Sequence, residues 1–365
     1  MNAPPHALHL VVAARPNLPK IAALWHALAV ARTCFAPQLL HTGQHHDAAM
    51  FSAHLADLDL PAPHIALGVS GGTHAELTGR SMIACEATWR ATRPALVVVV
   101  GDVDGTLAAA LAARKLGMPV AHLEAGLRSG EADMPEEINR RAVDAISTLL
   151  WAPDTASAAR LRAEGHGAAA VRAVGNGMID TLMRSLSAAR QRPLPVGLAA
   201  GRYGVVTLHR PANVDDAGML ARLLVALGEA AQRLPLVWPL HPRTRARLAA
   251  FGWAVPASVR VLPPLGYLDF LALLIGARLV ATDSGGVQEE ASALDLPCLT
   301  LRVSTERPVT LEAGGNRLIA PDALADGVAE VLSGGWPHAL AVPLWDGRAG
   351  ARMVAHLMEF FACSA

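Results

Sequence analysis

Ser284, Gly285, Gly286 and Glu290 are the residues of this chain whose types and spacing most clearly suggest chemistry. They follow an apolar run at 277–281 that predicts a buried parallel strand, and Ser284 stands where the N-cap of the next helix belongs. The glycines let an anion approach free N–H groups at the helix start, where the helix dipole favours negative charge. Glu290 lies about 9 Å further along the axis, at about 1.5 Å per residue. The spacing indicates a nucleotide diphosphate with Glu290 on its ribose; an ordinary capped helix is the alternative.

Charged and polar side chains also follow most of the other apolar runs. Each has an ordinary structural alternative: a solvated loop cation, a carboxylate that caps a helix, or a packed histidine. Their joint placement favours function, because the carboxyl ends of parallel strands meet at one edge of a sheet, where ligands bind in such folds. The candidates in the first half are Arg15, Lys20, Gln44, His45, Asp102, Glu124 and Glu136, and those in the second half are His209, Arg210 and His241.

Apolar runs alternate with helical patterns along the chain, and the series restarts after a connection at 185–201. The predicted strands are 7–14, 37–42, 96–101, 119–123, 148–152, 171–175, 204–208, 236–240, 259–262, 279–282, 297–301 and 318–320. The predicted helices include 18–31, 73–92, 106–116, 135–145, 216–232, 269–275 and 350–361. The alternation predicts an α/β fold with two Rossmann-like doubly wound domains, 1–183 and 184–365, facing each other across a cleft. The last helix closes the second domain or packs back on the first.

The composition argues against several classes of protein. The 365 residues carry 31 Lys and Arg against 31 Asp and Glu, so we expect neither nucleic acid nor an anionic membrane as the main partner. The four cysteines are scattered, which predicts isolated thiols in a reducing compartment. His45, His46 and Asp47 lack further spaced ligands, so we expect no metal there. Neither a signal peptide nor an apolar stretch of about 18 residues is visible, which predicts a cytoplasmic protein.

Nine segments, in order along the chain, resemble the bacterial UDP-N-acetylglucosamine 2-epimerases of the non-hydrolysing type. They are residues 14–17 with Lys20, 42–45, 101–103, 122–130, 134–140, 207–210, 241–242, 282–290 and 305–308. The resemblance covers roughly residues 8 to 320, and several segments in the right order are far more specific than one Gly-rich loop. It implies two Rossmann-like domains in the glycosyltransferase-B arrangement, UDP held mainly by the second domain, and a homodimer.

The resemblance also implies a reaction and roles for the candidate residues. UDP-N-acetylglucosamine and UDP-N-acetylmannosamine interconvert by elimination of UDP across C1–C2 and its re-addition, with no nicotinamide or metal. Such chemistry needs a carboxylate base near C2, an acid on the opposite face, and cations for the departing UDP. By motif, Asp102, Glu124 and Glu136 match the acid/base set and His209 lies near the diphosphate or sugar. Substrate and UDP contacts match Arg15, Lys20, Arg210, His241, Ser284, Gly285, Gly286 and Arg307, with Glu290 on the ribose.

Some family members hold a second, activating UDP-sugar, and residues near that site match Gln44, His45, Glu136, Arg210 and His241. The chain departs from the family pattern at Ala13-Ala14, at Gly105 where Ser or Thr is usual, at Pro211-Ala212, and in the loop 68–72, which lacks an expected arginine. Other hypotheses therefore stay open. They are a hydrolysing 2-epimerase that releases UDP and N-acetylmannosamine, a 2-epimerase for a modified UDP-sugar, an inactive UDP-sugar binding protein, and a glycosyltransferase of the same fold.

Overall fold

The computed structural model describes residues 5–31, 34–43 and 48–363, so Gln44 and His45 lie outside the described residues. The chain forms two compact units. The first extends to Arg184 and takes in the chain again from Pro343, and the second is Ser185–Val342. No helix in the described part of the chain has both the length and the apolar content needed to cross a bilayer.

The first unit contains a seven-stranded parallel sheet with helices between its strands. Its strands are β1 (His6–Val12), β2 (Phe35–His41), β3 (Ile65–Ala66), β4 (Leu96–Val100), β5 (Val120–Leu123), β6 (Leu149–Ala152) and β7 (Val171–Ala173). Their order is β3-β2-β1-β4-β5-β6-β7. The helices are α1 (Asn17–Ala31), α2 (Ala48–Asp57), α3 (His74–Thr92), α4 (Asp104–Lys115), α5 (Pro135–Ile146), α6 (Thr155–Ala163) and α7 (Gly177–Arg190), the last of which continues past Arg184.

The second unit contains a six-stranded parallel sheet. Its strands are β8 (Gly204–Thr207), β9 (Leu236–Pro239), β10 (Val259–Leu262), β11 (Leu279–Thr282), β12 (Cys298–Thr300) and β13 (Asn316–Leu318), in the order β10-β9-β8-β11-β12-β13. The helices are α8 (Pro211–Val214), α9 (Ala217–Ala230), α10 (Pro242–Phe251), α11 (Tyr267–Ile275), α12 (Gly285–Ala293), α13 (Pro308–Glu312) and α14 (Leu324–Ser333), with a 3₁₀ turn at Pro321–Ala323. The predicted α/β class with two doubly wound sheets is confirmed.

Each sheet reverses its strand order once, between β1 and β4 in the first unit and between β8 and β11 in the second. The crossing loops diverge at such a point and leave a crevice at the carboxyl ends of the strands. β4 shows why the sequence folds this way: its five side chains are 0–1% exposed, as a strand covered on both faces requires. The residues directly after these four strands therefore face a crevice built by the topology itself.

The last helix, α15 (Ala349–Phe360), belongs to the first unit. It packs so closely on α1 that a Cβ added at Gly350 would lie 2.3 Å from the carbonyl oxygen of Ala23. The Asp180 carboxylate accepts hydrogen bonds from the N–H groups of Ala349 (3.1 Å) and Gly350 (2.8 Å). Asp180 thus satisfies two free donors at the start of α15.

A disulfide joins Cys34, just before β2, to Cys363, just after α15. The expectation of isolated thiols is therefore wrong for this pair, and it holds only for Cys85 and Cys298, which are buried and free. Spacing could not predict the bond, because 329 residues separate the two cysteines and only the packing of α15 brings them together.

Candidate functional site

In the first unit the site begins with Asn17, the first residue of α1. Its side-chain oxygen accepts hydrogen bonds from the N–H groups of Ala13 (3.2 Å) and Ala14 (2.8 Å), and its amide donates to the carbonyl of Val100 (3.2 Å). One buried side chain therefore ties the loop after β1 to the end of β4, at the point where strand order reverses. This bond set fixes the first turn of α1, on which Lys20 stands.

Lys20 forms an ion pair with Glu124, the residue directly after β5. Their side chains are only 12% and 4% exposed. Glu124 has a backbone φ of 72°, a left-handed conformation that is costly for a residue with a Cβ and that is often found at functional sites. The carboxylate also lies close to the end of β4, because a Cβ added at Gly101 would be 3.5 Å from its Oε2. Lys20 and Glu124, which were predicted from the ends of two strands, thus meet beside the end of β4.

Asp102 forms an ion pair with Arg140 of α5. Arg140 is buried and also contacts Glu137 Oε2 at 2.5 Å, and Glu137 in turn accepts from the N–H (2.9 Å) and hydroxyl (3.1 Å) of Ser129. The Asp102 side chain remains 31% exposed. The buried Arg140 guanidinium therefore holds a carboxylate that solvent can reach. Arg140 and Glu137 are not among the predicted site residues, although both stand in the segment 134–140.

Two further predicted residues of the first unit, Glu136 and Arg15, lie at the start of α5 and after β1. Glu136 is the second residue of α5 and is partly exposed in the first helical turn, where the helix dipole favours an acid. Arg15 follows β1, is partly buried, and its guanidinium Nη1 lies 3.4 Å from the sulfur of Met50. The loop 68–72 lacks an arginine of its own, but Arg80 of α3 donates to its Ser70 carbonyl at 3.1 Å.

In the second unit the central residue is Asp283, directly after β11 and fully buried. Its carboxylate accepts from the N–H groups of His209 (3.0 Å) and Arg210 (2.9 Å), from the Asn213 amide (3.1 Å), and lies 3.1 Å from the His209 ring Nδ1. Burial alone would raise the pKa of Asp283, but His209 and the backbone donors outweigh it and lower the pKa. Asp283 therefore orients His209, whose side chain stays 37% exposed.

His241 lies beside His209, with ring centroids 5.2 Å apart. It is the N-cap of α10 and its Nδ1 accepts from the N–H of Arg243 at 3.2 Å. Nδ1 of His241 therefore carries no proton in this arrangement, because it accepts this hydrogen bond. The two predicted histidines thus share one edge of the second sheet.

The start of α12 has the predicted geometry, with Ser284 as N-cap residue and no side-chain capping bond from it. A Cβ added at Gly285 would be 2.8 Å from Oε1 of Glu306, so a side chain there would have to displace this carboxylate. Glu306 is buried and pairs with Arg210 (2.6 Å) and Arg302 (2.7 Å). Burial opposes its charge, but the arginines, including Arg307, hold the pKa of Glu306 far below its usual range.

Glu289 and Glu290 follow on α12 and have different surroundings. Glu289 pairs with Arg307 at 2.5 Å. Glu290 is 3% exposed, and its Oε1 has no hydrogen-bond partner among the described residues. Burial raises the pKa of Glu290 to about 7, despite the Tyr267 hydroxyl, which favours the ionised form; Glu289 adds to the rise. A buried carboxylate with an unsatisfied oxygen is suited to accept a hydroxyl group from a ligand.

Several known proteins are similar to this chain in sequence and in fold. A family model described as UDP-N-acetylglucosamine 2-epimerase matches residues 29–358. The chain is similar to the UDP-N-acetylglucosamine 2-epimerase of Methanocaldococcus jannaschii, with 36% identity over 95% of this chain and 97% of that protein. The crystal structure of the M. jannaschii UDP-GlcNAc 2-epimerase in complex with UDP-GlcNAc and UDP has a TM-score of 0.88, at 35% identity, and covers 97% of this chain and 99% of that one.

A further relative has a different substrate in its name. The UDP-2,3-diacetamido-2,3-dideoxy-D-glucuronate 2-epimerase of Pseudomonas aeruginosa is 40% identical over 313 residues, which are 85% of this chain and 87% of that protein. All of these relatives are named as UDP-sugar 2-epimerases, but the sugar in the name of the P. aeruginosa protein differs from that in the names of the M. jannaschii proteins.

Proposed function

The chain belongs to the UDP-N-acetylglucosamine 2-epimerase family of enzymes, and we propose that it reversibly converts UDP-N-acetylglucosamine into UDP-N-acetylmannosamine. The observation that carries this proposal is the pair of braced carboxylates at one sheet edge, Glu124 with Lys20 and Asp102 with Arg140. Inverting a C2 centre requires a proton to leave one face of the sugar and return to the other, and two differently placed carboxylates supply the groups for it.

The proposed reaction is an elimination followed by an addition. A carboxylate takes the C2 proton while the C1–O bond breaks and its electron pair leaves with the β-phosphate of UDP, which gives a 2-acetamidoglucal. UDP then adds back to C1, and a carboxylic acid on the other face delivers a proton to C2. We assign the proton transfers to Asp102, Glu124 and Glu136 as a set, without dividing the base and acid roles among them.

The second unit supplies the proposed contacts to the leaving UDP. The N–H groups at the start of α12, with Ser284, Gly285 and Gly286, favour the diphosphate charge that grows as the C1–O bond breaks. His209, Arg210, His241 and Arg307 are the proposed cationic or donor groups around it, and Arg15 is a proposed substrate contact of the first unit. Glu290 accepts the ribose hydroxyls, in keeping with its buried, unsatisfied oxygen.

A 2-epimerase acting on UDP-2,3-diacetamido-2,3-dideoxy-D-glucuronate is the second candidate, supported by the 40% identity to the P. aeruginosa relative. The reaction at C1 and C2 is the same, and only the groups at C3 and C5 of the sugar differ. We further propose, from the family resemblance alone, that the enzyme is a cytoplasmic homodimer; light scattering of the purified protein tests the dimer.

One experiment separates these proposals. The pure protein is incubated in parallel with UDP-N-acetylglucosamine and with the diacetamido-glucuronate nucleotide, and the products are resolved by anion exchange. We expect a mixture of two UDP-N-acetylhexosamines from the first. Free sugar with UDP would instead show a hydrolysing enzyme, and turnover of the second substrate alone would move the assignment to the modified sugar. No change with either would contradict an active epimerase.

A further inference from the structure

The turn that carries Glu124 is held from both sides by one carboxylate, that of Asp144 in α5. Asp144 Oδ1 lies 2.7 Å from Nδ1 of His122, two residues before Glu124. Its Oδ2 accepts from the N–H of Gly126, two residues after Glu124, at 3.1 Å. Both His122 and Asp144 are 0% exposed. A single buried side chain thus brackets the residue that has the left-handed backbone.

The same network reaches Asp102 through the other nitrogen of the imidazole. Nε2 of His122 donates to the carbonyl oxygen of Gly101 at 2.9 Å, and Gly101 directly precedes Asp102. Gly101 itself has φ 69°, a left-handed conformation that glycine adopts readily. His122 therefore connects the turn after β5 with the turn after β4.

The Asp144 carboxylate also belongs to an ion-pair network with Arg128 and Glu164. Asp144 Oδ2 also accepts from Arg128 at 2.7 Å, and Arg128 pairs with Glu164 at 2.6 Å. The two partners of the His122 ring are the Asp144 carboxylate on Nδ1 and the Gly101 carbonyl on Nε2. Burial alone would raise the pKa of Asp144, but His122 and Arg128 outweigh it and keep the carboxyl ionised, with a lowered pKa.

We propose that Asp144 and His122 are positioning residues that set the separation and direction of the Glu124 and Asp102 carboxylates. The proposal rests on the proposed function, since it assumes that these two carboxylates transfer protons at C2. Neither Asp144 nor His122 is required to touch the sugar. Their hydrogen bonds end on the backbone beside each carboxylate, so their loss moves the reacting groups without removing them.

The size of the effect follows from how steeply proton transfer depends on geometry. A displacement of about 1 Å can cost on the order of a hundredfold in rate, because reacting groups must already be in place. Substrate binding changes less, since the proposed UDP contacts lie mainly at the start of α12 in the second unit. The expected signature is a fall in kcat with KM and the UDP dissociation constant nearly unchanged.

The test uses isosteric and partial replacements. Asp144→Asn keeps the shape but cannot accept from His122, Gly126 and Arg128 together, because one of its two groups is a donor. His122→Asn keeps a donor near the Nδ1 position, facing Asp144. His122→Gln keeps a donor near the Nε2 position, facing the Gly101 carbonyl. We expect kcat to fall about 10- to 100-fold in Asp144→Asn and His122→Asn, and to be partly retained in His122→Gln.

The matched control is Asp180→Asn, which alters a carboxylate of the same unit that also accepts from two backbone N–H groups, those of Ala349 and Gly350. We expect it to lower the melting temperature and leave kcat unchanged. Should Asp144→Asn not fold, the two His122 variants decide the question by themselves. Wild-type-like kcat in folded variants, or equal loss of kcat and UDP affinity, would overturn the positioning role. Failure of the wild type in the same assay would instead count against the proposed function.

Discussion

At the scale of single residues, the proposed site contains two carboxylates that pair with largely buried cations, Glu124 with Lys20 and Asp102 with Arg140. We expect Asp102→Asn, Glu124→Gln and Glu136→Gln each to lower turnover at least about a hundredfold, the lower end of general acid–base effects. UDP should still raise the melting temperature of each variant, because ligand binding to the native state alone stabilises it. Glu131→Gln, in the exposed loop before α5, is the control and should retain activity. Normal turnover in any of the three would remove that residue from the set.

Glu290 gives a residue-scale prediction about pH. Its pKa in the folded protein, about 7, lies above the ordinary value of 4.5, so the folded state retains a proton that the unfolded state has lost between these values. The contribution of Glu290 to the free energy of unfolding is fully present below pH 4.5 and is lost as the pH rises through 7. The free energy of unfolding falls by about 3 kcal/mol at most over this pH range.

The variant Glu290→Gln does not titrate, so its melting temperature should exceed that of the wild type increasingly from pH 5 to pH 8. Glu229→Gln, at an exposed position of α9, should show no such trend. A pH-independent difference between Glu290→Gln and the wild type would argue against a buried, titrating Glu290. UDP affinity should fall in the variant, if Glu290 accepts the ribose.

The sequence predicted the residues at strand ends but not the side chains that brace them. Strand ends are visible because buried parallel strands are apolar runs, and their carboxyl ends share one edge. Asp283 contacts residues more than 70 positions earlier in the chain, and Asp144 contacts a residue 22 positions earlier. Such partners are set by tertiary packing, so a buried carboxylate inside a helix pattern resembles any other polar residue until the fold is known.

At the scale of elements, boundaries were predicted well where burial is strong and poorly where it is not. β4 and β11 begin and end within one residue of their predicted bounds. β3 was missed because it has two residues, Ile65 and Ala66, which make no recognisable apolar run. β13 was predicted at 318–320 and lies at Asn316–Leu318, since its polar first residues, Asn316 and Arg317, do not resemble a buried strand.

Two departures from the family pattern, Ala13 and Gly105, lie in contact where the chain leaves β1 and α4 begins. A Cβ added at Gly105 would lie 2.7 Å from the Cβ of Ala13 and 3.1 Å from Oγ1 of Thr42. The methyl group of Ala13 therefore fills the space that a side chain at 105 would need. In the family pattern the first position is usually glycine and position 105 usually serine or threonine, so in both patterns glycine at one position accompanies a larger residue at the other.

A double-mutant cycle tests this exchange. We expect Gly105→Ser alone to destabilise the protein by about 1–3 kcal/mol, the usual cost of overpacking. Adding Ala13→Gly to it should restore most of that stability, which gives a coupling energy of opposite sign to the single effect. Denaturant unfolding measures all four proteins. Additive effects of the two substitutions would show that Ala13 and Gly105 do not share this space.

At the scale of the whole molecule, the Cys34–Cys363 disulfide ties the end of the chain to the first unit. Its reduction should lower stability by about 2–4 kcal/mol, because the long closed loop no longer restrains the unfolded chain. Before reduction the unfolded protein should show two reactive thiols, those of Cys85 and Cys298. Cys34→Ser should lose similar stability and respond no further to reductant. Four thiols before reduction, or a reductant response in Cys34→Ser, would contradict the bond.

The proposed elimination makes a prediction about the reaction as a whole. Because the C2 proton is lost to a carboxylate, reaction in heavy water should place deuterium at C2 of the epimer. Because the C1–O bond breaks, an oxygen-18 label in the bridge between C1 and the β-phosphate should scramble into non-bridging positions. Mass spectrometry and phosphorus NMR follow both labels.

Hydride transfer through a keto sugar would need a nicotinamide, and no G-x-G-x-x-G fingerprint follows β1, where Ala13-Ala14-Arg15-Pro16 stands. Epimerisation with the bridging label fully retained, or without deuterium at C2, would rule out elimination of free UDP and would leave Asp102, Glu124 and Glu136 with binding or structural roles.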